Sequence, residues 1–336
     1  MKNEITNSNL LDKSFSWLCK QRKHFPVNSD VWHFRFHWDR IKPKLQRDLS
    51  SNKFNFQPLQ KVTKSSGVVI HLWTSIDSLV LKQLSPVLQR YLPPSKLCTH
   101  LKGHGGSKYT VTEIQDEIPN NTFVFRTDVK SYYESINHEI LLDKLSVYIK
   151  DKTVMNLLAQ YLKRSVESGG LFKDIKQGIS SGCPLSPLIS SFYLYELDKE
   201  MEDKPVFYRR YMDDIIVLSP TRWKLRKAIK TVNQHFEKLK LKQHPDKTDI
   251  GRIKNGFDFL GYQFGREKIT VSKRTLQNHI RRITQLYEQK KHPPNWKMLL
   301  DDYRQHWVTW VYSGIPSSII NFDYESVELR LFLKST

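Results

Sequence analysis

Apolar and polar positions change period several times along the chain, and each change predicts an element. The clearest helix runs from Arg222 to Leu241, where Leu225, Ile229, Val232, Phe236 and Leu239 recur at steps of four, three, four and three. Asp77 to Leu92 carries a broader apolar face of Leu79, Leu81, Leu84, Val87, Leu88 and Tyr91, closed by Pro93-Pro94. His138 to Leu162 keeps helical spacing throughout and reads as a backing helix with no chemistry of its own. Lys176 to Met201 reads as a Gly- and Pro-punctuated turn opening a long helix at Ser186-Pro187. Residues 1–52 predict helices broken near Pro26 and Pro43, and two further helices are expected over 276–289 and 296–312, parted by Pro293-Pro294.

Other stretches favour strands. Phe54 to Trp73 holds two extended runs around a Lys-Ser-Ser-Gly turn, which predicts a hairpin. Phe123 onward is a short β-rich run ending at Asp128. Val206–Tyr211 and Ile215–Leu218 read as paired strands with Met-Asp-Asp as the bend, and Asn255–Phe264 reads as another hairpin.

Charge changes this picture of an ordinary folded chain. The 336 residues carry a formal charge of +20, which calls for a polyanionic partner, with nucleic acid first. An acidic membrane surface is weakened as a rival by the absence of a long apolar run, a lipidation motif or a signal sequence. Cys19, Cys98 and Cys183 stand in no disulfide or zinc spacing and fit a reducing cytoplasm. No internal repeat or low-complexity tract occurs.

Candidate chemistry centres on Asp213 and Asp214. Adjacent carboxylates at a hairpin tip repel, and each gains from a nearby cation; a divalent-metal seat and a solvated turn are both open on this tetrapeptide alone. Asp128 reads either as a helix cap or as a further metal carboxylate. In residues 1–52, Trp17, Trp32 and Trp38 lie among Arg22, Lys23, Arg35, Arg40, Lys42 and Lys44; such aromatics either stack on single-stranded bases or form core. The glycines of His100–Val111, among Lys102, His104 and Lys108, predict a flexible basic loop able to approach phosphate, although the spacing is not a P-loop.

Tyr-Met-Asp-Asp on a hairpin resembles the active-site signature of reverse transcriptases. Four further motifs follow that family's order across residues 54 to 264: the 54–73 hairpin, the strand-end Asp128 with its following aromatics, Gln-Gly with Pro-Leu-Ser-Pro, and Phe-Leu-Gly-Tyr after a Lys-Thr. The match is nearest to group II intron-type enzymes. One departure is Ile70, where those enzymes usually place an Arg three residues after the turn Gly. The resemblance implies that Asp128, Asp213 and Asp214 are catalytic and hold two Mg²⁺ ions, with Mn²⁺ an acceptable substitute. It implies that Lys64, Val129, Tyr133, Gln177, Gly178 and Lys247 surround the nucleotide. Val129 would do so through the backbone that it shares with Lys130, Tyr133 would act as a steric gate against a 2′-OH, and Lys247 would serve the triphosphate.

The implied fold is α+β: a right-hand polymerase with fingers, a palm of antiparallel sheet backed by helices, and a small helical thumb. The expected boundaries are a basic helical segment 1–52, fingers and palm 53–265 and thumb 266–336. The thumb stretch Arg266–Trp310 has ten Lys/Arg against four Asp/Glu, suited to duplex phosphates. The expected activity is RNA-directed DNA synthesis in the cytoplasm, on an RNA template that is a structured non-coding RNA, with dNTPs and a DNA primer or product, and with antiviral defence as a role carried by family analogy. No zinc-finger or HNH endonuclease signature follows the thumb stretch. A non-catalytic, maturase-like RNA-binding protein and an RNA-dependent RNA polymerase with a similar palm are the alternatives. Priming mode, template identity and oligomeric state are not set by the sequence.

Overall fold

The computed structural model describes residues 1–63, 67, 69–288 and 296–324. Lys64, with Ser65, Ser66 and Val68 of the first hairpin, lies outside them. Eleven strands occur among the described residues: β1 Leu59–Thr63, β2 Val69–Leu72, β3 Phe123–Thr127, β4 Ser165–Ser168, β5 Leu171–Asp174, β6 Phe207–Tyr211, β7 Asp214–Ser219, β8 Asp249–Arg252, β9 Phe257–Phe259, β10 Tyr262–Phe264 and β11 Ile269–Val271. With the helices they make a mixed α and β architecture of two compact units, each assembled from separate stretches of chain. The first is Met1–Lys96, Val129–Lys199 and Asn233–Lys242; the second is Leu97–Asp128, Glu200–Val232 and Gln243–Thr336.

The first unit holds the sheet β2-β1-β4-β5, antiparallel except where β1 runs parallel to β4. Helix Ser75–Leu88 is its centre: Leu79, Leu81, Leu84, Val87 and Leu88 are all buried. The amino-terminal helices pack on it through polar as well as apolar contacts. Ser14 Oγ donates to Gln83 Oε1 (2.9 Å), and buried Arg22 donates to Ser75 Oγ, the Trp73 carbonyl and Ser78 Oγ. Half-buried Phe15 stacks on buried Trp38 with ring centroids 4.3 Å apart, so Trp38 of the basic segment is core. Pro43 does not break helix Trp38–Ser50. The buried face of Trp38, Leu45 and Leu49 outweighs the one backbone hydrogen bond that Pro43 cannot donate.

Two long predicted helices are each divided. His138–Tyr148 and Lys152–Leu162 are separate, because Asp151 caps the second by accepting from the Thr153 and Val154 amides (3.0 and 3.2 Å). Ser186–Tyr193 and Tyr195–Glu202 are likewise divided at Leu194, whose φ of −95° and ψ of 7° leave helical geometry.

The second unit holds the antiparallel sheet β6-β7-β3-β8 and a small sheet β11-β10-β9. Their shared core joins Val124, Ile216 and Leu218 to Phe257, Phe264, Trp307 and Val311. Helix Arg222–Lys238 follows β7, and helices Lys273–Glu288 and Trp296–Tyr312 follow β11. The glycine-rich stretch near residue 105 is only partly loop, since helix Gly106–Glu117 begins inside it. Lys108 therefore turns inward. Its Nζ lies over the Tyr262 and Trp310 rings (4.7 and 4.5 Å to the centroids) and donates to Tyr262 Oη and the Trp310 carbonyl. Burial alone pushes its pKa down to about 8. It is a packing cation rather than a phosphate contact.

Candidate active site

Strand register brings the acids of the second unit together. β6 and β7 pair with Tyr211 opposite Asp214, so Met212-Asp213 is a two-residue hairpin loop. β3 pairs with β7 from Phe123↔Ser219 to Thr127↔Ile215. One more step of that register sets Asp128 opposite Asp214, at a cross-strand spacing of about 5 Å. β3 also pairs with β8, from Phe123↔Arg252 to Arg126↔Asp249. Continued, that register passes Thr127 and Thr248, whose hydroxyls meet at 2.8 Å, and sets Lys247 opposite Asp128. Asp128 thus has an acid on one flank and a base on the other. Lys247 Nζ donates to Asp128 Oδ2 at 2.6 Å.

The loop is held from behind by two residues that sequence reasoning missed. Met212 sits at φ +58°, a left-handed conformation costing a non-glycine residue about 1–2 kcal/mol. Its amide donates to His100 Nδ1 (3.2 Å), and its carbonyl accepts from Arg210 Nη1 (2.6 Å). Arg210 is fully buried although it lies in a strand. The available signal was its place in the alternation: in β6 the inward positions are Tyr208 and Arg210. A charge at an inward position needs a dedicated partner.

The electrostatics of this bend are costly. Burial, then the Asp128 charge, pushes Asp213 up to about 6, with Lys247 and Arg210 pulling it back. Burial, then Asp128 and Asp213, pushes Asp214 up to about 7, and a hydrogen bond with Asp128 adds to the rise. Three carboxyl groups are therefore crowded where few compensating charges reach them. Among the described residues no three His, Cys, Asp or Glu side chains already surround a single point as metal ligands; Asp128 is engaged by Lys247 instead. A cleft of about 530 Å³ opens beside the acids, lined by Asp128, Asp214, Lys247, Arg126, Leu260-Gly261 and Arg274. Arg126 spans it at the base, bonding Asp258 through both its carboxylate (2.6 Å) and its carbonyl (2.8 Å).

A second cluster of sequence-predicted residues forms in the first unit. Ile179 N donates to the Tyr133 carbonyl (2.7 Å), Gly178 N to the Ile136 carbonyl (2.8 Å) and Gln177 Nε2 to the Ser135 carbonyl (2.9 Å). Gly178 has φ +85°, and a Cβ there would lie 2.8 Å from the Glu134 Cα and the Tyr133 carbonyl oxygen. Only glycine lets the two segments touch. The Gly178 carbonyl accepts in turn from His138 Nε2 (2.7 Å) and Arg164 Nη1 (3.0 Å). Gln177, Gly178 and Tyr133 are thus adjacent. Val129 is buried, and the next amide, Lys130, donates to the Lys242 carbonyl (2.9 Å).

Known proteins share this sequence pattern. The profile of the family described as "Reverse transcriptase (RNA-dependent DNA polymerase)" matches residues 46–264. Protein YkfC of Escherichia coli K12 is 26% identical over 181 residues, 44% of this chain and 48% of its own length. The group II intron-encoded protein LtrA of Lactococcus lactis is 24% identical over 211 residues, 61% of this chain and 35% of its own. A 91 kDa protein in the cob intron of Schizosaccharomyces pombe is 28% identical over 166 residues, 48% of this chain and 21% of its own. The chain thus spans about half or less of the length of these relatives. With the profile covering well over half of its residues, the chain belongs to the reverse transcriptase (RNA-dependent DNA polymerase) family.

Proposed function

We propose that this protein is an RNA-directed DNA polymerase that joins dNTPs to a primer by nucleotidyl transfer. The observation that carries this reading is the shared register of β3, β7 and β8, which sets Asp128 between Asp214 and Lys247 beside an open cleft. Family membership supplies the reaction class. Asp128, Asp213 and Asp214 are hard oxygen donors whose mutual repulsion a divalent cation relieves, which fits Mg²⁺ or Mn²⁺. Bound divalent ions supply charge neutralisation at the attacking 3′ oxygen and the departing pyrophosphate. To hold such an ion, Asp128 would give up its bond to Lys247. Lys247 lines the cleft, where its ammonium would stabilise triphosphate charge or protonate the leaving group.

The remaining assignments rest on the resemblance. Tyr133 is the gate against ribose 2′-OH, Gln177 and Gly178 shape the nucleotide and template contact, and the backbone at Val129 and Lys64 meet the phosphates. The sheet β6-β7-β3-β8 is the palm, the 53–128 and 129–199 stretches supply fingers and palm helices, 266–336 is the thumb, and 1–52 is a basic helical extension. A structured non-coding RNA as template, a cytoplasmic site of action and a role in antiviral defence are proposed on that resemblance alone. No described helix is long and apolar enough to cross a membrane.

The test is dNTP incorporation on poly(rA) primed with oligo(dT). Asp213→Asn or Asp214→Asn abolishes Mg²⁺-dependent incorporation with the circular dichroism spectrum unchanged. Full activity in either variant would reject the catalytic assignment of that acid, whereas a wild type that incorporates no dNTP would leave the non-catalytic, maturase-like reading. Tyr133→Ala admits rNTPs; a wild type that already prefers rNTPs identifies an RNA-copying RNA polymerase instead.

A further inference from the structure

The first half of helix Arg222–Lys238 has no part in the site described above, yet its charge is one-sided. Arg222, Lys224, Arg226, Lys227 and Lys230 fall within nine residues, and no acid occurs from Ile215 through Phe236. Among the described residues none of these five cations has an acidic partner. The first turn contains no acidic residue. Cations there oppose the positive end of the helix dipole, whereas acids would be favourable. A merely solvated face gains nothing from that arrangement. In their midst Trp223 is 63% exposed, with Lys227 Nζ 3.5 Å from its ring centroid. The helix begins just past Ser219, at the opposite end of β7 from Asp214, so about 17 Å of strand lies between it and the acids.

We propose that this exposed face binds the phosphate backbone of a structured RNA, with the Trp223 indole stacking on an unpaired base. Five cations clustered along little more than two helical turns form an electrostatic footprint for a phosphate backbone, and an exposed ring among them is the usual platform for a splayed base. An anionic membrane fits worse. Surface-seeking helices turn an apolar face to the bilayer, but Leu225, Ala228 and Val232 are buried in the fold. The partner's identity as RNA rests on the polymerase reading; the surface itself does not use the acids. Its place at the far end of β7 suits an RNA segment that is held rather than copied.

The probe is a fluorescein-labelled RNA stem-loop with a single-stranded adenosine loop, followed by anisotropy across a salt series. The triple variant Arg226→Gln/Lys227→Gln/Lys230→Gln weakens binding and reduces the slope of log affinity against log salt by about 2–3. Trp223→Ala weakens stem-loop binding by about 5- to 150-fold and leaves a fully paired RNA duplex unaffected. Both variants copy saturating oligo(dT)-primed poly(rA) at the parental rate, and Asp213→Asn binds the stem-loop normally, so failure of the polymerase reading is seen separately. The three substituted side chains are exposed, so the triple variant leaves Tm nearly unchanged; Trp223→Ala repeats the test without touching charge. Parental affinity and salt slope in the triple variant would overturn the proposal. So would variants that lose binding to phosphatidylglycerol vesicles while binding RNA normally, or equal losses on paired and looped RNA for Trp223→Ala.

Discussion

The Met212-Asp213 bend and the Gln177-Gly178 turn are both sharp, and each depends on a residue at positive φ, but they are stabilised in opposite ways. At Gly178 the amide and the carbonyl, the following Ile179 amide and the Gln177 side chain are all hydrogen-bonded, and the Cβ that any other residue would add has no room. At the acid bend the backbone is fixed just as firmly, by Arg210 and His100, yet the side chains it presents are left in mutual repulsion. The first arrangement is saturated and holds its shape without a ligand. The second is rigid but electrostatically incomplete, which is the condition for taking up cations. Fixed backbone with unpaired charge is how a fold builds a binding site at a cost in its own stability.

That contrast breaks most directly at Asp214. Asp214→Asn removes the repulsion and the function together: incorporation falls by about 10³-fold or more, the scale of losing a group that stabilises transition-state charge. In metal-free protein at pH 8 the same change raises Tm, by about 2 °C for each ~1 kcal/mol recovered. A Tm decrease would show that the carboxylate contributes packing rather than strain.

At the saturated turn the effect is read first in stability. Gly178→Ala meets backbone atoms at 2.8 Å and also carries a positive φ, a combined cost of about 2–4 kcal/mol. Gly182→Ala, at φ +74° with open space around its Cβ, costs only about 1–2 kcal/mol. Urea unfolding of both variants checks the ratio; equal losses would show that the close approach to Glu134 is unimportant.

Lys247→Gln sharpens the picture of a stand-in cation. Without the ammonium, divalent ions meet no rival at Asp128, so their affinity rises, while turnover falls by about 10²-fold if the lysine serves the triphosphate. Calorimetric ion titration and single-turnover incorporation separate the two effects.

The smallest effect is in pH. Burial and the neighbouring Asp128 and Asp213 push Asp214 in the folded protein up from its ordinary value of 3.8 to about 7. Between these values the folded state binds a proton that the unfolded state does not, so metal-free stability declines as pH rises through that window. Saturating Mg²⁺ cancels the decline, and half-saturation needs more Mg²⁺ as pH falls from 8 to 6. Thermal melts across pH, with and without Mg²⁺, measure both. A pH-independent Tm in the metal-free protein would contradict the crowding of the acids.

Much of this was legible in the residue pattern, for identifiable reasons. The β6–β7 and β9–β10 hairpins and the helices Arg222–Lys238 and Lys273–Glu288 obey local rules of alternation and period. Bringing Asp128 to Asp214 needed only that β3 and β7 be neighbours, which the motif order implied. β8 was not legible: Asp-Ile-Gly-Arg has no strand alternation and is a strand only because β3 offers it an edge. The β4–β5 hairpin was also missed, though Gly169-Gly170 marks its turn. Lys108 was misread because glycine-rich sequence resembles a loop whether or not a helix starts within it. Arg210 and His100 were missed because the Met212 groups they hold are backbone atoms, and only the inward place of Arg210 in β6 signalled a role.

The central claim is that Asp128 and Asp214 act as one charge site because the sheet register makes them neighbours. Mn²⁺ binding at pH 8, followed by electron paramagnetic resonance in Asp128→Asn, Asp214→Asn and the double variant, tests it. The expected result is that either single change lowers affinity by at least about tenfold and that the double change adds less than the sum of the two, as coupled neighbours do. Undiminished Mn²⁺ affinity in the single variants, or strictly additive losses, would contradict it.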